Sequence, residues 1–452
     1  MAGFRPFSWL PRRARAASDQ PWCRSALARD ASLEGAVDRL VQQLGGCGPA
    51  DLALVFASSS YASDLPRLLP LLQARLQARH WLGCVGGGVV GTDPDGAPHE
   101  LEAEAALSLT LLRLPGADLH PFALDTTDLP DLDGPAEPWL ERVGAAPAAG
   151  QSLLLLIDPG CGAMQDLISG LDYAYPEAPK IGGIAGQHSA SHGSLLHGTQ
   201  VVGGVVGGAV GCLIGGAWRL DPVVAQGCRP IGPVYEVERA QRNVVLQVSR
   251  DAQRNSPVEA LQAILTDLSP AEREQVKHSL FLGVARSSFS LAGAEDPPAF
   301  LVRNLIGVDP RTGAVAVGER IRVGQKVQFQ LRDGAASQEE SRQLLRRQAR
   351  RQADPLAALL FACLGRGQGL YGEVDGDVTL CREAFPAVPI AGVFCNGEIG
   401  PVGGQATHLH GYTASWGFLV PAGGPAGPGD EPGAGDGPTG PSRSDADGGD
   451  RR

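Results

Sequence analysis

The sequence lacks any uncharged apolar run of 18 residues, the minimum for a membrane-spanning helix. The nearest candidate, residues 201–220, is so rich in glycine that paired strands suit it better than a membrane helix. Basic residues are also few: 38 Lys and Arg stand against 49 Asp and Glu, a net charge of -11. Because sequence-independent binding to nucleic acid needs clustered cations, we expect no nucleic-acid partner and no membrane insertion.

Paired cysteine motifs are missing as well. The 9 cysteines are odd in number, are scattered along 452 residues and form no CxxC spacing. This distribution is typical of thiols in a reducing compartment, so we expect a cytoplasmic protein. No Walker-type GxxxxGK[ST] motif occurs, and no cofactor or metal is expected.

Both ends of the chain have a composition unlike the middle. Residues 1–30 are rich in arginine and have no hydrophobic core of a secretion signal, which favours a disordered leader or an over-extended start over a transit peptide. Residues 421–452 consist largely of Pro, Gly and Asp, without apolar periodicity. Such a segment cannot offset the entropy lost on ordering, so we expect a disordered tail.

Between the ends, one pattern recurs three times: an apolar strand, a helix, and a second strand that enters a glycine-rich loop. The first strands cover residues 52–56, 153–157 and 358–363, and the glycine loops cover 83–91, 181–187 and 390–400. A β-branched or aromatic strand follows each loop. We therefore predict an α/β (mixed α+β) fold of repeated βαβ-type units, with mixed sheets covered by helices.

The crossover in a βαβ unit makes its two strands parallel, so the glycine loops should gather at one sheet edge, where open α/β sheets place ligands. The loop glycines singled out are Gly86, Gly87, Gly182, Gly183, Gly392 and Gly397. Residues 279–333 instead alternate apolar and polar side chains around turns, which predicts an antiparallel meander. Residues 65–79, 247–269 and 337–353 carry helical periodicity.

Three patterns could support chemistry but have simpler explanations. Gly367, Gly369 and Gly372 form GxGxxG after a strand, yet no second nucleotide-binding half follows. The histidine spacings near residues 188–197 and 408–410 lack a complete ligand set, so we expect solvated loop histidines. Ser58 to Ser60 lie at a strand-to-helix elbow without flanking glycines, which a helix N-cap explains.

Cys363 and Cys395 lie at a strand end and in a glycine loop, where either could be an accessible thiol. No His or Asn is spaced to activate them, so structural cysteines are favoured over catalytic ones.

Charged side chains within strands or glycine loops are costly unless they have partners. The chain places arginines at Arg286, Arg303 and Arg366, and polar groups at Asn396 and Glu398. Beside exposed backbone N–H groups, this set would suit a small zwitterion such as an amino acid. An internal Arg–Glu network that pins the loops explains the same residues equally well.

In order along the chain, the motifs GVARSSF, FLVRNLIGVDPRTGAVAVGERIRVGQKVQFQLRD, FACLGRG and PIAGVFCNGEIGPVG resemble the C-terminal FIST domain. The motifs LALVFASSS, GCVGGGVVG and IGGIAGQ similarly resemble the N-terminal FIST domain. The resemblance covers most of residues 48–420 and implies an N-terminal domain over 31–235 and a C-terminal domain over 236–420.

FIST domains are regarded as sensory modules that occur with signalling domains or F-box domains and are proposed to bind small ligands such as amino acids. The resemblance therefore implies a non-catalytic signal transduction protein that binds a small ligand and acts through a partner protein or a homo-oligomer. A protein-interaction scaffold without a ligand, and a thiol- or nucleotide-dependent enzyme, remain alternatives. The candidate ligand-binding residues are Arg286, Arg303, Cys363, Arg366, Asn396 and Glu398.

Overall fold

A computed structural model describes residues 20–204, 207–286, 300–401 and 406–423. The first repeat forms a strand–helix–strand unit followed by a hairpin and a returning strand, as its hydrophobic pattern predicts. Its elements are β1 (Trp22–Arg29), α1 (Leu33–Leu44), β2 (Ala50–Ser58), a 3-10 helix (Ser59–Asp64), α2 (Leu65–Gln73), β3 (Ala78–Gly86), β4 (Gly88–Thr92), β5 (Pro98–Glu102) and β6 (Ala106–Arg113).

The second repeat folds in the same way. Its elements are β7 (Ala117–Leu124), α3 (Glu137–Val143), β8 (Ser152–Ile157), α4 (Met164–Ala174), β9 (Lys180–Ile184), β10 (Leu195–His197), β11 (Gln200–Val202) and β12 (Ala209–Gly216). The third unit starts with β13 (Trp218–Ala225) and is then interrupted by an insertion.

The insertion contains the predicted meander. Its elements are β14 (Cys228–Pro230), β15 (Tyr235–Gln241), β16 (Val244–Arg250), β17 (Gln253–Asn255), α5 (Pro257–Asp267), α6 (Pro270–Ser279), β18 (Leu280–Ala285), β19 (Phe300–Val308), β20 (Val315–Val317), β21 (Lys326–Arg332) and α7 (Gly334–Arg351). Strand β21 pairs with both β15 and β18, so β21, β15, β16, β20, β19 and β18 close into a barrel. Closure leaves these strands without a free edge.

The third unit then resumes with β22 (Ala357–Cys363), α8 (Gln368–Tyr371), α9 (Gly376–Ala384), β23 (Ile390–Cys395), β24 (Glu398–Pro401), β25 (Thr407–His410) and β26 (Ala414–Pro421). In all three units the predicted parallel pair is confirmed: β2 with β3, β8 with β9, and β22 with β23. An α/β fold with mixed sheets is therefore confirmed.

The three units exchange hairpins cyclically. Hairpin β4–β5 of the first unit pairs with β23, β10–β11 of the second pairs with β3, and β24–β25 of the third pairs with β9. Each of these sheets consequently has the same strand order, with its last two strands supplied by another unit. The expected division at residue 235 therefore does not separate the sheets, because strands from both sides of that boundary pair with each other.

The inner faces of the three sheets meet in one apolar core, to which Phe56, Leu156 and Phe361 contribute from equivalent positions. Helices cover the outer faces: α1 and α2 on the first sheet, α3 and α4 on the second, α7 and α9 on the third. All three of these core side chains are fully buried, and burial of each contributes roughly 1.5–3 kcal/mol to folding.

Three predicted boundaries are wrong. Strand β1 pairs along its length with β6, so residues 20–30 belong to the fold; residues 1–19 and the tail beyond residue 423 lie outside the described residues. The helix predicted over 65–79 ends at Gln73, since Ala78 already begins β3. Residues 247–250 lie in β16, and α5 starts only at Pro257, where Ser256 and Glu259 form a capping box.

Candidate ligand site

The three glycine loops meet where the three units contact one another, and not at the edge of one sheet as predicted, because each loop follows a strand of a different sheet. Three backbone hydrogen bonds form a ring: Gly87 N donates to Phe394 O (3.1 Å), Gly186 N to Val85 O (2.8 Å), and Asn396 N to Ile184 O (2.9 Å). This ring joins equivalent positions of the three units. The loop glycines Gly86, Gly87 and Gly183 pack here against residues of the third unit. A side chain at any of these positions would collide with that unit, which explains why the residues are glycines.

A large cleft lies on the third unit, where the carboxyl ends of β22 and β23 face the barrel. Its volume is about 880 Å³, within the range of small-molecule sites. Of the predicted residues, Arg303, Cys363, Asn396 and Gly397 line it. Further lining comes from strand β19, from the barrel loop 318–322, from the ends of β22 and β23, from strand β25 and its following turn, and from Gln165 of α4.

The barrel side of the cleft is rich in guanidinium groups. Arg303 is 18% exposed and forms an ion pair with Glu319, while Arg320 and Arg322 are exposed. Three cations thus face one carboxylate on this wall. The excess positive charge favours a ligand that carries a carboxylate, which arginine binds with two parallel hydrogen bonds.

The opposite wall carries two thiols. Cys363 and Cys395 are direct neighbours on the parallel strands β22 and β23, and both line the cleft. Burial, reinforced by the nearby Glu398 carboxylate, raises the pKa of Cys363 to about 11 and that of Cys395 well above its ordinary value. Both thiols are therefore protonated at neutral pH.

Glu398 lies beneath this wall with no exposed surface. One carboxylate oxygen, Oε2, accepts hydrogen bonds from the backbone N (3.1 Å) and the Oγ1 (2.8 Å) of Thr413. The other, Oε1, has no partner at hydrogen-bond distance among the described residues, although the Cys363 thiol lies near enough to the carboxyl group to favour its ionised form. Burial raises the pKa of Glu398 to about 8.

Arg366 does not face the cleft. It is 1% exposed and forms an internal ion pair with Asp377, not with Glu398 as the sequence suggested. Its guanidinium Nη1 also donates to Tyr412 O at 3.3 Å. The internal-network interpretation is therefore correct for Arg366, whose partner is a carboxylate from α9.

Arg286 also lies outside the cleft lining. It follows β18 and is half-buried. Burial lowers its pKa below the ordinary value, and the nearby charge of Asp172 only partly opposes this effect. His408 lies close to Arg286, whose charge helps to lower the pKa of this imidazole.

The histidines of β25 were missed. His410 is 5% exposed, its Nε2 lies 3.0 Å from Gly400 O, and both His408 and His410 line the cleft. The expectation of solvated loop histidines is wrong for them because β25 is buried against β24, and burial lowers both pKa values to about 4. Among the described residues, no three His, Cys, Asp or Glu side chains are grouped to hold a metal ion.

The GxGxxG segment already holds an anion of the chain itself. Gln368 N donates to Glu102 Oε1 at 2.8 Å, and a side chain at Gly367 would collide with that carboxylate. Glu102 thus occupies the place that a phosphate would need. Ser58 does not cap the following helix, since its Oγ accepts from Ala106 N at 3.0 Å.

Comparisons with known proteins agree with this architecture. The FIST N domain matches residues 51–250 and the FIST C domain matches residues 258–401. The uncharacterized protein Rv0628c of Mycobacterium tuberculosis is 33% identical over 391 residues, which cover 84% of this chain and 93% of the relative. The chain belongs to the FIST family.

Further relatives of this FIST protein are the uncharacterized protein Mb0898c of Mycobacterium bovis and the F-box/LRR-repeat protein At5g63520 of Arabidopsis thaliana. The first is 30% identical over 409 residues, 88% of this chain and 97% of the relative. The second is 25% identical over 279 residues, 56% of this chain and 52% of the relative. FIST domains are associated with sensory and signal transduction roles. Within the described residues, no helix is long and apolar enough to cross a membrane.

Proposed function

We propose that this FIST protein is a non-catalytic cytoplasmic sensor that binds a small carboxylate-bearing ligand, such as an amino acid, in the cleft between the barrel and the third unit. The observation that carries the proposal is the charge of this cleft. Among the described residues that line it, Arg303, Arg320 and Arg322 face Glu319 as the one carboxylate. A cleft of about 880 Å³ accommodates an amino acid with room for its side chain.

Binding would reach the rest of the molecule through the barrel, because the two walls of the cleft belong to different structural layers. Leu301, Arg303 and Asn304 come from barrel strand β19, whereas Cys363 and Cys395 come from the third sheet. A ligand that contacts both walls favours the arrangement in which they are close. The signal would then pass to a partner protein or to a second copy of the chain.

Catalysis by a thiol is less well supported. Cys363 and Cys395 share the cleft with His408 and His410, which is the residue set a thiol enzyme needs. Burial, however, raises the pKa of the Cys363 thiol to about 11 and lowers the pKa of each imidazole to about 4. A neutral thiol and a neutral imidazole lack the ion pair that activates such nucleophiles.

A reducing compartment is supported by the cysteines. All 9 are free thiols, among them Cys363 and Cys395, which are neighbours on paired strands. In an oxidising compartment, exposed and neighbouring thiols would tend to form disulfides.

The test is a thermal-shift screen of the full chain against the twenty L-amino acids, matched carboxylates without an amino group, and nucleotides. A ligand that binds only the folded state raises the unfolding temperature. For a hit, the double variant R320A/R322A should lose at least about tenfold in affinity, or roughly 1.4 kcal/mol. The matched control R350A/R351A removes two exposed arginines at the end of α7 and should bind normally. Equal affinity in both variants would contradict the proposal.

A protein-interaction scaffold is the second candidate. Ile306, Val308 and Val323 of the barrel insertion are 61%, 56% and 63% exposed. Exposed apolar side chains are common at protein interfaces. Two results would favour this function: no ligand in the panel raises the unfolding temperature, and the protein sediments as a dimer that the double variant I306E/V308E dissociates.

A further inference from the structure

The third unit differs from its two counterparts in the side chains beneath the cleft. The strand register makes the positions comparable: Leu360 pairs with Gly392, Val55 with Gly83, and Leu155 with Gly182. Counting three residues onward from these pairs, Cys395 corresponds to Gly86 and Ala185, and Cys363 corresponds to Ser58 and Asp158.

The exchanged hairpins can be compared in the same way. Glu398 pairs with Gly183, one residue beyond Gly182, and the equivalent pairs are Val89 with Val393 and Leu195 with Cys84. Glu398 therefore occupies a position that is a buried valine in the first unit and a buried leucine in the second.

The cross-strand neighbour of Glu398 is also polar in the third unit and apolar in the other two. Glu398 pairs with His410, whereas Val89 pairs with Leu101 and Leu195 with Val202. The fold thus accepts apolar side chains at both positions, and a carboxylate there is not required for packing. Because a buried carboxylate without full pairing destabilises a protein, the occurrence of Glu398 at this position in the third unit alone, beneath the cleft, points to a ligand.

We propose that Glu398 is the acceptor for the cationic end of the ligand, and that it releases a proton when an ammonium group binds, so that ligand binding strengthens as the pH rises. This inference rests on the proposed function and deepens it. Arginines on the barrel wall would hold the ligand carboxylate, and Glu398 would hold the ammonium group on the opposite wall.

The geometry favours this assignment. Cys363, Cys395, Gly397 and His410 all line the cleft and enclose the Glu398 carboxyl group. Oε1 has no partner at hydrogen-bond distance among the described residues, and the Cys363 thiol is the weak donor nearest the carboxyl group, so an ammonium group would replace a weak donor with a stronger one. Because Glu398 has no exposed surface, the side chains between it and the cleft must move before a ligand can reach Oε1.

The charged and titratable groups that face Glu398 leave it free to titrate near neutral pH. Cys363 and Cys395 stay protonated, and His410, with a pKa of about 4, is neutral. Arg366 lowers the pKa of Glu398, but its charge is already neutralised by Asp377. Burial dominates and holds the pKa of Glu398 at about 8, so most molecules carry the proton at pH 7.

The expected linkage is quantitative. If only the ionised carboxylate binds the ammonium group, affinity is proportional to the ionised fraction, which rises about 50-fold between pH 6 and pH 8 for a pKa of about 8. At pH 7, nearly one proton per bound ligand is released to the buffer.

The experiment is calorimetric titration of the full chain with each of the twenty L-amino acids, at pH 7 in two buffers of different ionisation enthalpy, and at pH 6 and pH 8. At pH 7, wild type should release close to one proton per bound amino acid. It should bind the amino acid about 50-fold more tightly at pH 8 than at pH 6. E398Q should lose both effects. E398L, which places at this position the residue type of Leu195 in the second unit, guards against a folding defect and should behave like E398Q.

Glu340 provides the matched control. It is a half-buried carboxylate, burial raises its pKa to about 7, and it contacts Gln226 instead of the cleft. E340Q should keep the proton release and the pH dependence. Binding of an amino acid without proton release, or release that survives in E398Q and E398L, would overturn the inference while leaving the proposed function intact. If no amino acid binds wild type, the proposed amino-acid ligand fails and the inference with it.

Discussion

The guanidinium of Arg366 donates two hydrogen bonds, each 2.7 Å long, to the carboxylate of Asp377, and each side chain is 1% exposed. This pair ties the segment after β22 to helix α9 beneath the cleft. Removing one partner leaves an uncompensated buried charge. We expect R366A or D377A to lower the free energy of unfolding by about 3–5 kcal/mol, measured by urea denaturation.

The matched control for this pair is Arg342 with Glu383, an ion pair between α7 and α9 that is partly exposed. Because solvent screens such pairs, E383A should cost less than about 1 kcal/mol. A similar small cost for D377A would mean that the Arg366–Asp377 pair does not hold the segment in place.

Glu398 should make stability depend on pH. Its pKa is raised from 4.5 to about 8 in the folded protein, so the folded state retains a proton that the unfolded state releases within this range. The free energy of unfolding should therefore fall as the pH rises from 4.5 to 8, by about 1.4 kcal/mol per pH unit relative to E398Q. Urea denaturation of both proteins at pH 5, 6, 7 and 8 measures the difference. Parallel pH profiles would show that Glu398 has an ordinary pKa.

Gly392 marks a close approach between strands. A side-chain Cβ at this position would lie 1.9 Å from the carbonyl oxygen of Leu360, and the neighbouring strand cannot withdraw without losing its ladder. G392A should cost about 3 kcal/mol or more, or prevent folding. G48A is the control, because a Cβ there meets no atom within 4 Å. Equal unfolding temperatures for both variants would contradict the observed strand spacing.

The cleft thiols should react slowly. With its pKa raised from 9.0 to about 11, Cys363 has a thiolate fraction about a hundredfold smaller than that of an ordinary thiol. In the native protein, brief exposure to a disulfide reagent at pH 7.5 should label Cys47 before Cys363, as read by mass spectrometry. Burial raises the pKa of both half-buried thiols, but Arg24 partly opposes this effect at Cys47, whereas Glu398 adds to it at Cys363. Preferential labelling of Cys363 would indicate an activated thiol and revive the enzyme alternative.

The hairpin exchange predicts that the two sequence halves cannot fold separately. Residues 20–235 contain β9, β4 and β13, whose partners β24, β23 and β26 lie in residues 236–423. Each fragment alone would expose unpaired strand edges, whereas co-expressed fragments should form a stable complex. Cooperative unfolding of the isolated 20–235 fragment, followed by circular dichroism, would show that the exchange is dispensable.

The local parts of the site could be predicted from the sequence. The glycine positions and the parallel pairs follow from hydrophobic runs that end in glycine, and three of the predicted ligand-binding residues, Arg303, Cys363 and Asn396, line one cleft. Arg366 was expected to pair with Glu398, but it pairs with Asp377. Nothing in the sequence around Asp377, apart from its place in a predicted helix, indicated that this carboxylate would be buried beside Arg366. His410 was expected to be solvated because the sequence does not show that β24 and the rest of the third unit bury its strand.

The sequence by itself determined the three repeats, their strand and helix types and the FIST resemblance, because periodicity and glycine placement act over a few residues. Only the tertiary structure decided the exchange of hairpins, the closure of the barrel and the partner of each buried charge. These three features depend on contacts between strand edges and charges that are separated in the sequence. The hydrogen bond from Thr413 to Glu398 beneath the cleft is one such contact, between the residue before β26 and strand β24. Local sequence patterns are compatible with several ways of pairing the strands and charges. The native arrangement is the one that leaves the fewest strand edges exposed and the fewest buried charges unpaired.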